Sequence, residues 1–85
     1  MTDTAPRLTY KELDTLLHTL GFTVSEPEAG TRVYQHAGSG AQLFFPVLPD
    51  RDRVRPHHLV GARTTLDAFG IMDPAEFDAR VRQAA

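Results

Sequence analysis

Cysteine and tryptophan are both missing from this 85-residue sequence. Without cysteine the chain has no disulfide, no thiolate nucleophile and no cysteine-ligated zinc site, so a hydrophobic core has to hold it together. No apolar run approaches the ~18 residues of a membrane span. The first residues also lack the basic and then apolar pattern of a secretory signal. We therefore predict a cytoplasmic protein that does not associate with membranes.

An excess of basic charge is missing as well. Nine Lys and Arg stand against eleven Asp and Glu, which gives a net charge of −2, whereas a protein that coats nucleic acid is usually strongly basic. This balance argues against bulk electrostatic binding of nucleic acid, although it permits a small local patch. The length suffices for one domain, which we expect at 9–85 after a disordered polar lead at 1–8.

The first predicted helix has a clear start and end. Thr9 and Glu12 have the spacing of a capping box, in which each side chain satisfies a free backbone amide of the other residue. Leucines then follow at the i, i+3, i+4 spacing of one helical face. Gly21 ends the helix, because glycine readily takes the left-handed conformation found at that position.

Three strands and two more helices are predicted to follow. Alternating apolar and polar residues indicate strands from Phe22, from Thr31 and up to Phe45, joined as an antiparallel meander by glycine-containing turns. A proline-rich loop of mixed charge leads into a second helix over about 57–69. Its predicted core stripe is Leu59, Ala62, Leu66 and Phe69. A third, short helix is predicted from Asp73, and the fold class is therefore α+β.

The order of these elements and several short segments are similar to one known family. The segments are 10–17 with Leu20-Gly21-Phe22, 30–34 with His36, Phe45-Pro46-Val47, and Leu59 and Leu66 with Gly70-Ile71. Over roughly residues 8–72 the chain resembles the HicA (YcfA-like) family, the small toxins of bacterial toxin–antitoxin pairs. The resemblance implies a fold of the double-stranded-RNA-binding type and, in active members, cleavage of mRNA by a single histidine.

The position that this family uses for its histidine is occupied differently here. In the family that histidine follows the glycine and a small residue at the start of the hairpin, which corresponds to Thr31 or Arg32 in this chain. His36 falls where the family often carries a second, non-catalytic histidine. The resemblance therefore implies a HicA-like domain that lacks the catalytic group.

Histidine is nevertheless the side chain best suited to acid–base cleavage of RNA near neutral pH. An alternative is therefore a ribonuclease whose base has moved to His36, His57 or His58, the last two at the start of the second helix. His18 is predicted to lie on the surface. Adjacent histidines point about 100° apart on a helix and do not easily share a metal ion, so we predict neither a metal site nor a cofactor.

Strand alternation predicts which side chains face away from the helices. The set predicted under the helices is Phe22, Val24, Val33, Leu43 and Phe45. The set predicted on the open face of the sheet, where a partner would bind, is Arg32, Tyr34, His36, Gln42 and Phe44. Cationic and aromatic groups together can stack bases and meet phosphates. They can equally anchor a protein or form a plain solvated face with cross-strand pairs.

Three functions stay open on the sequence. The first is a non-catalytic HicA-like domain that binds RNA or an antitoxin-like protein through its open sheet face. The second is a HicA-type mRNA ribonuclease with a relocated histidine. The third is a small structural or dimerising protein, in which an exposed Tyr34 and Phe44 join two copies of the chain.

Overall fold

The computed structural model describes residues 8–83 and has the predicted order of helix, three strands, helix and helix. The elements are α1 (Tyr10–Thr19), β1 (Phe22–Glu28), β2 (Thr31–His36), β3 (Gln42–Pro46), α2 (Pro56–Ala68) and α3 (Pro74–Gln83). The strands pair antiparallel in the order β1-β2-β3, which confirms the α+β class and the meander. Within the described residues no helix has the length and apolar character needed to cross a bilayer. Residues 1–7 of the predicted lead lie outside this part of the chain.

The start of α1 confirms the predicted capping box. The Glu12 backbone N–H donates to the Thr9 hydroxyl oxygen at 3.2 Å, and the Thr9 backbone N–H donates to the Glu12 carboxylate at 2.9 Å. A cap of this kind stabilises a helix by about 1 kcal/mol. The capping box therefore fixes where α1 begins.

Backbone from the loop before α2 provides a second cap for α1. The N–H groups of Tyr10 and Lys11 donate to the carbonyl oxygens of Asp52 and Asp50, each at 3.0 Å. Amides in the first turn of a helix have no acceptor within the helix. The mixed-charge loop therefore has a structural task, which its backbone performs while its charged side chains face solvent.

Leu8 corrects the predicted boundary of the N-terminal lead. Its side chain is buried, and its carbonyl oxygen accepts the Val54 N–H at 2.8 Å. Beside this hydrogen bond, Thr9 and Arg53 form an isolated antiparallel bridge. Because the transfer of an apolar side chain out of water is favourable, residue 8 belongs to the packed domain and not to the lead.

The hydrophobic core lies between the helices and one face of the sheet. Its fully buried large side chains are Phe22, Phe77, Leu13, Leu17 and Leu66. Burial of one such side chain contributes about 1.5–3 kcal/mol relative to leaving it exposed. Contributions of this size from all three helices and the sheet hold together a chain that has no disulfide.

The C-terminal end of α2 departs from its predicted core stripe. Leu59, Ala62 and Leu66 are buried as expected, but Phe69 is 48 % exposed. Phe69 is the C-cap residue that follows the last helical residue, Ala68, so it no longer follows the helical face that packs on the sheet. Met72, which follows the turn, is buried near the end of α2 and was missed by the helical pattern.

The pairing of β2 with its neighbours contradicts the predicted faces of that strand. His36 lies opposite Phe22, and Tyr34 lies opposite Leu43. Residues directly opposite each other in antiparallel strands share a face, and both Phe22 and Leu43 belong to the core. The corrected placements are Arg32, Tyr34 and His36 on the helix-covered face and Val33 on the open face. A shift of one residue reverses every side chain of a strand, which is why all four assignments fail together.

Candidate functional site

The sheet face that the helices leave uncovered is the first candidate site. We call it the open sheet face and define it by six paired residues: Thr23, Ser25, Val33, Gln35, Gln42 and Phe44. All of them are uncharged. Phe44 is 61 % exposed, the highest value among the large hydrophobic side chains of the described residues. The surface is therefore a neutral one, with an aromatic ring presented to solvent.

Only part of the predicted binding set lies on this face. Gln42 and Phe44 project from it, whereas Arg32, Tyr34 and His36 project towards the helices. The structure does not bring the five residues together. The expected surface of cations and aromatic rings is therefore not formed, because its cation lies on the opposite side of the sheet.

Arg32 lines a cleft of about 460 Å³ between α1 and the sheet. We call it the α1–sheet cleft, and its ionisable lining residues are Asp14, His18, Glu26, Arg32 and Asp50. The Arg32 guanidinium lies 3.7 Å from the Glu26 carboxylate, and the His18 imidazole lies 3.3 Å from that of Asp14. Three carboxylates thus outnumber one guanidinium. A phosphate group would be repelled here.

Tyr34 supports this cleft from beneath. Its ring is 3 % exposed, and its hydroxyl donates to the Asp14 carboxylate at 2.6 Å. Burial and this hydrogen bond raise the pKa of Tyr34 to about 12, so the phenol stays protonated and keeps donating at physiological pH. Tyr34 therefore positions Asp14 and is not presented to a ligand.

His36 is engaged in the hairpin between β2 and β3. The Ser39 backbone N–H donates to Nδ1 of His36 at 3.1 Å, and the Ser39 hydroxyl lies 2.9 Å from the same nitrogen. The ring also packs against Phe22, with centroids 5.2 Å apart. An imidazole nitrogen that accepts a backbone amide is not free to take a proton from a substrate. His36 therefore has a structural role in ordering the turn.

His58 is held by the start of α1. Its Nδ1 lies 2.8 Å from the Tyr10 hydroxyl, which in turn accepts the Arg55 backbone N–H at 3.2 Å. Its ring also packs edge-on to Phe45, with centroids 5.3 Å apart. Burial lowers the pKa of His58, and the neighbouring His57 and Arg55 lower it further. The ring is therefore neutral near pH 7, and its proton lies on Nε2 when the Tyr10 hydroxyl donates to Nδ1.

This contact predicts a loss of stability in acid. Because the folded-state pKa of His58 lies below its ordinary value of 6.5, the unfolded chain binds the proton more readily. The contribution of His58 is complete above about pH 6.5 and is lost as the pH falls through the folded pKa. Between pH 7.5 and pH 5, we expect the free energy of unfolding measured in urea to fall less for His58→Asn than for the wild-type chain. Asparagine retains an acceptor near the position of Nδ1 but does not titrate. An equal decline in both proteins would contradict the assignment.

Several residues of these clusters were missed by sequence reasoning. The contacts of Tyr10 with His58 and of Asp14 with Tyr34 carry no local signal, because the partners are distant along the chain. The pairs Asp14–His18 and Glu26–Arg32 join residues that are closer in sequence. Among residues 8–83 no group of His, Asp and Glu could hold a metal ion.

Comparisons with protein-family models, with curated proteins and with solved structures gave no match for this chain. A function for this chain is therefore inferred from its geometry and from the resemblance of its sequence segments.

Proposed function

We propose that this protein is a non-catalytic binding domain that recognises another protein through its open sheet face. One observation carries the proposal: three neighbouring strands present neutral side chains around a ring, that of Phe44, which is 61 % exposed. Exposed apolar groups rimmed by neutral polar groups are typical of protein interfaces. With the resemblance to the HicA family, an antitoxin-like protein is the proposed class of partner.

Charge favours a protein over RNA as the occupant of this face. Binding to nucleic acid draws much of its affinity from Lys and Arg placed against phosphates. The six residues of the open sheet face are uncharged, and Glu28, which pairs with Thr31 at the end of β1, is acidic. Arg32 lies on the other side of the sheet beside Glu26. The α1–sheet cleft is net acidic as well. An RNA ligand would therefore gain little electrostatic attraction from either surface.

The engagement of His36 and His58 argues against a relocated base at either position, whereas His57 is exposed and packs on the His58 ring, with centroids 4.2 Å apart. His36 accepts from Ser39 in the hairpin, while His58 is bonded to Tyr10. His58 packs on Phe45, which pairs with Arg32 in β2. His36 is four residues further along that strand, about 13 Å away. His36 therefore does not converge with His58 on one reacting group, as an acid–base pair would have to.

A photo-crosslinking experiment tests the proposal. The photoreactive residue p-benzoylphenylalanine is placed at Gln35, an exposed position of the open sheet face, and at Thr64, an exposed position of α2, as the matched control. The variants are irradiated in the cells that produce the chain. We expect an adduct from position 35 that contains a different polypeptide, resists ribonuclease and is absent from position 64.

Each other result would overturn the proposal. An adduct that ribonuclease removes would make RNA the ligand, and one of twice the chain mass would make a second copy the occupant of the face. Equal adducts from both positions, or none from position 35, would remove the face as a binding site.

Induction of the wild-type chain in a bacterial host is expected to leave growth and bulk mRNA unchanged, and loss of mRNA would instead support the ribonuclease.

A further inference from the structure

The outer edge of β3 carries backbone groups that no strand within residues 8–83 pairs with, because β3 is the last strand of the sheet. Two hydrogen bonds fix which groups these are: His36 N–H donates to the Ala41 carbonyl, and Val47 N–H donates to the Gly30 carbonyl, each at 2.9 Å. In an antiparallel ladder, hydrogen-bonded pairs alternate with pairs whose backbone groups point away. The N–H and C=O groups of Gln42 and Phe44 therefore point outwards.

The two edges of the sheet differ in how they are protected. At the edge formed by β1, Pro27 and an irregularity between Ser25 and Glu28 interrupt the strand, and two glutamates add charge. Such features prevent pairing with another strand. The β3 sequence Gln-Leu-Phe-Phe-Pro contains no charge. Only Pro46, at its end, resembles a protective residue.

We propose that β3 is the contact through which two copies of this chain pair, antiparallel and centred on Phe44. In that register the Phe44 N–H of each copy donates to the Phe44 carbonyl of the other. The Gln42 N–H of each donates to the Pro46 carbonyl of the second copy. The Gln42 carbonyl receives no hydrogen bond in return, because proline has no N–H. The sheet then continues across the two-fold axis as one six-stranded sheet.

The absence of charge is what points to a second copy as the occupant. A two-fold interface pairs the strand with its own sequence, so a strand carrying charges of one sign would meet charges of the same sign. Gln42, Phe44 and Pro46 avoid this repulsion. The two Phe44 rings also become neighbours on the same face, which removes part of their exposed surface from water. The pairing goes beyond the proposed function, because it needs only this chain.

Sedimentation velocity of the purified chain tests the pairing without any other protein. We expect the mass to rise from one chain to two as the concentration is raised to about 1 mM, the range of a weak contact. Phe44→Asp should hold the protein as a monomer, because its carboxylates would meet across the axis. Gln42→Pro should do the same by removing an outward N–H that the sheet itself does not use. Val60→Asp, at a position 59 % exposed on α2, is the matched control and should still dimerise.

Amide hydrogen exchange gives a second, residue-specific readout. Exchange of the Gln42 and Phe44 amides should slow about tenfold when most of the chain is dimeric, because the contact between the two β3 strands must then open before these amides can exchange. The Val24 amide, which points outwards from the β1 edge, should not change. A chain that stays monomeric at every concentration, a dimer that Phe44→Asp leaves intact, or slowing at Val24 instead would overturn the pairing. None of these results depends on whether crosslinking from position 35 finds a partner.

Discussion

Replacing Tyr34 by alanine is expected to lower the free energy of unfolding by about 3–5 kcal/mol, as for other large-to-small changes in a core. The ring is 3 % exposed and packs edge-on to Phe45, with centroids 5.8 Å apart. Its removal also leaves the Asp14 carboxylate without its 2.6 Å hydrogen bond. Urea denaturation measures the change. For a small domain, whose total stability is about 5–15 kcal/mol, the loss is a large fraction.

Phe44→Ala is the matched comparison for this variant. Phe44 is an aromatic residue in the neighbouring strand but 61 % exposed, so we expect a cost of about 0.5 kcal/mol or less when the chain is monomeric. Tyr34→Phe separates the hydroxyl from the ring and should cost about 1.5–3 kcal/mol, the value of a hydrogen bond to a charged group. A larger loss for Phe44→Ala than for Tyr34→Ala would mean that β2 has the opposite register.

Replacing Phe77 by alanine is expected to release α3 from the domain. Among residues 74–83, Phe77 is the residue that is buried, at 1 % exposure. The cavity costs about 3–5 kcal/mol, and a ten-residue helix without tertiary contacts is not stable in water. We therefore expect a loss of circular dichroism at 222 nm equivalent to α3, with amides of α3 exchanging freely while those of β2 stay protected.

Val60→Ala provides the control for this experiment. Val60 lines the same apolar groove between α2 and α3 as Phe77, but it is 59 % exposed, so its truncation should leave α3 in place. If Phe77→Ala instead unfolds α3 and the sheet in a single step, α3 is part of one cooperative unit. If it leaves α3 helical and protected, the contact of Phe77 with the core is not what holds the helix.

Local signals in the sequence were enough to predict the elements but not the faces of the central strand. The capping box of Thr9 and Glu12 depends on residues three positions apart, and it forms as predicted. In β2, by contrast, Val33 and Tyr34 are both buried, at 5 % and 3 % exposure. A central strand is shielded by neighbours on either side, so even its open-face valine is covered. Burial alternation therefore gives no clear answer for this strand.

The pairing partners could have corrected this error. Phe22 was predicted inside, and the turn between β1 and β2 places His36 opposite it. That single pair would have put Tyr34 inside as well, because residues two positions apart share a face. The polar contact between β2 and α1 could not have been found from strand pairing. The hydrogen bond between Tyr34 and Asp14 joins two elements whose packing angle no sequence pattern specifies.

The backbone cap that residues 50 and 52 give to α1 sets an order of events during synthesis. Tyr10 and Lys11 are translated before their acceptors, which are made about forty residues later. At ~5–20 residues per second this is a delay of several seconds. Meanwhile the hairpins between β1, β2 and β3 can close by local contacts. Helix α1 therefore waits for the sheet and the following loop before its N-terminal end is complete.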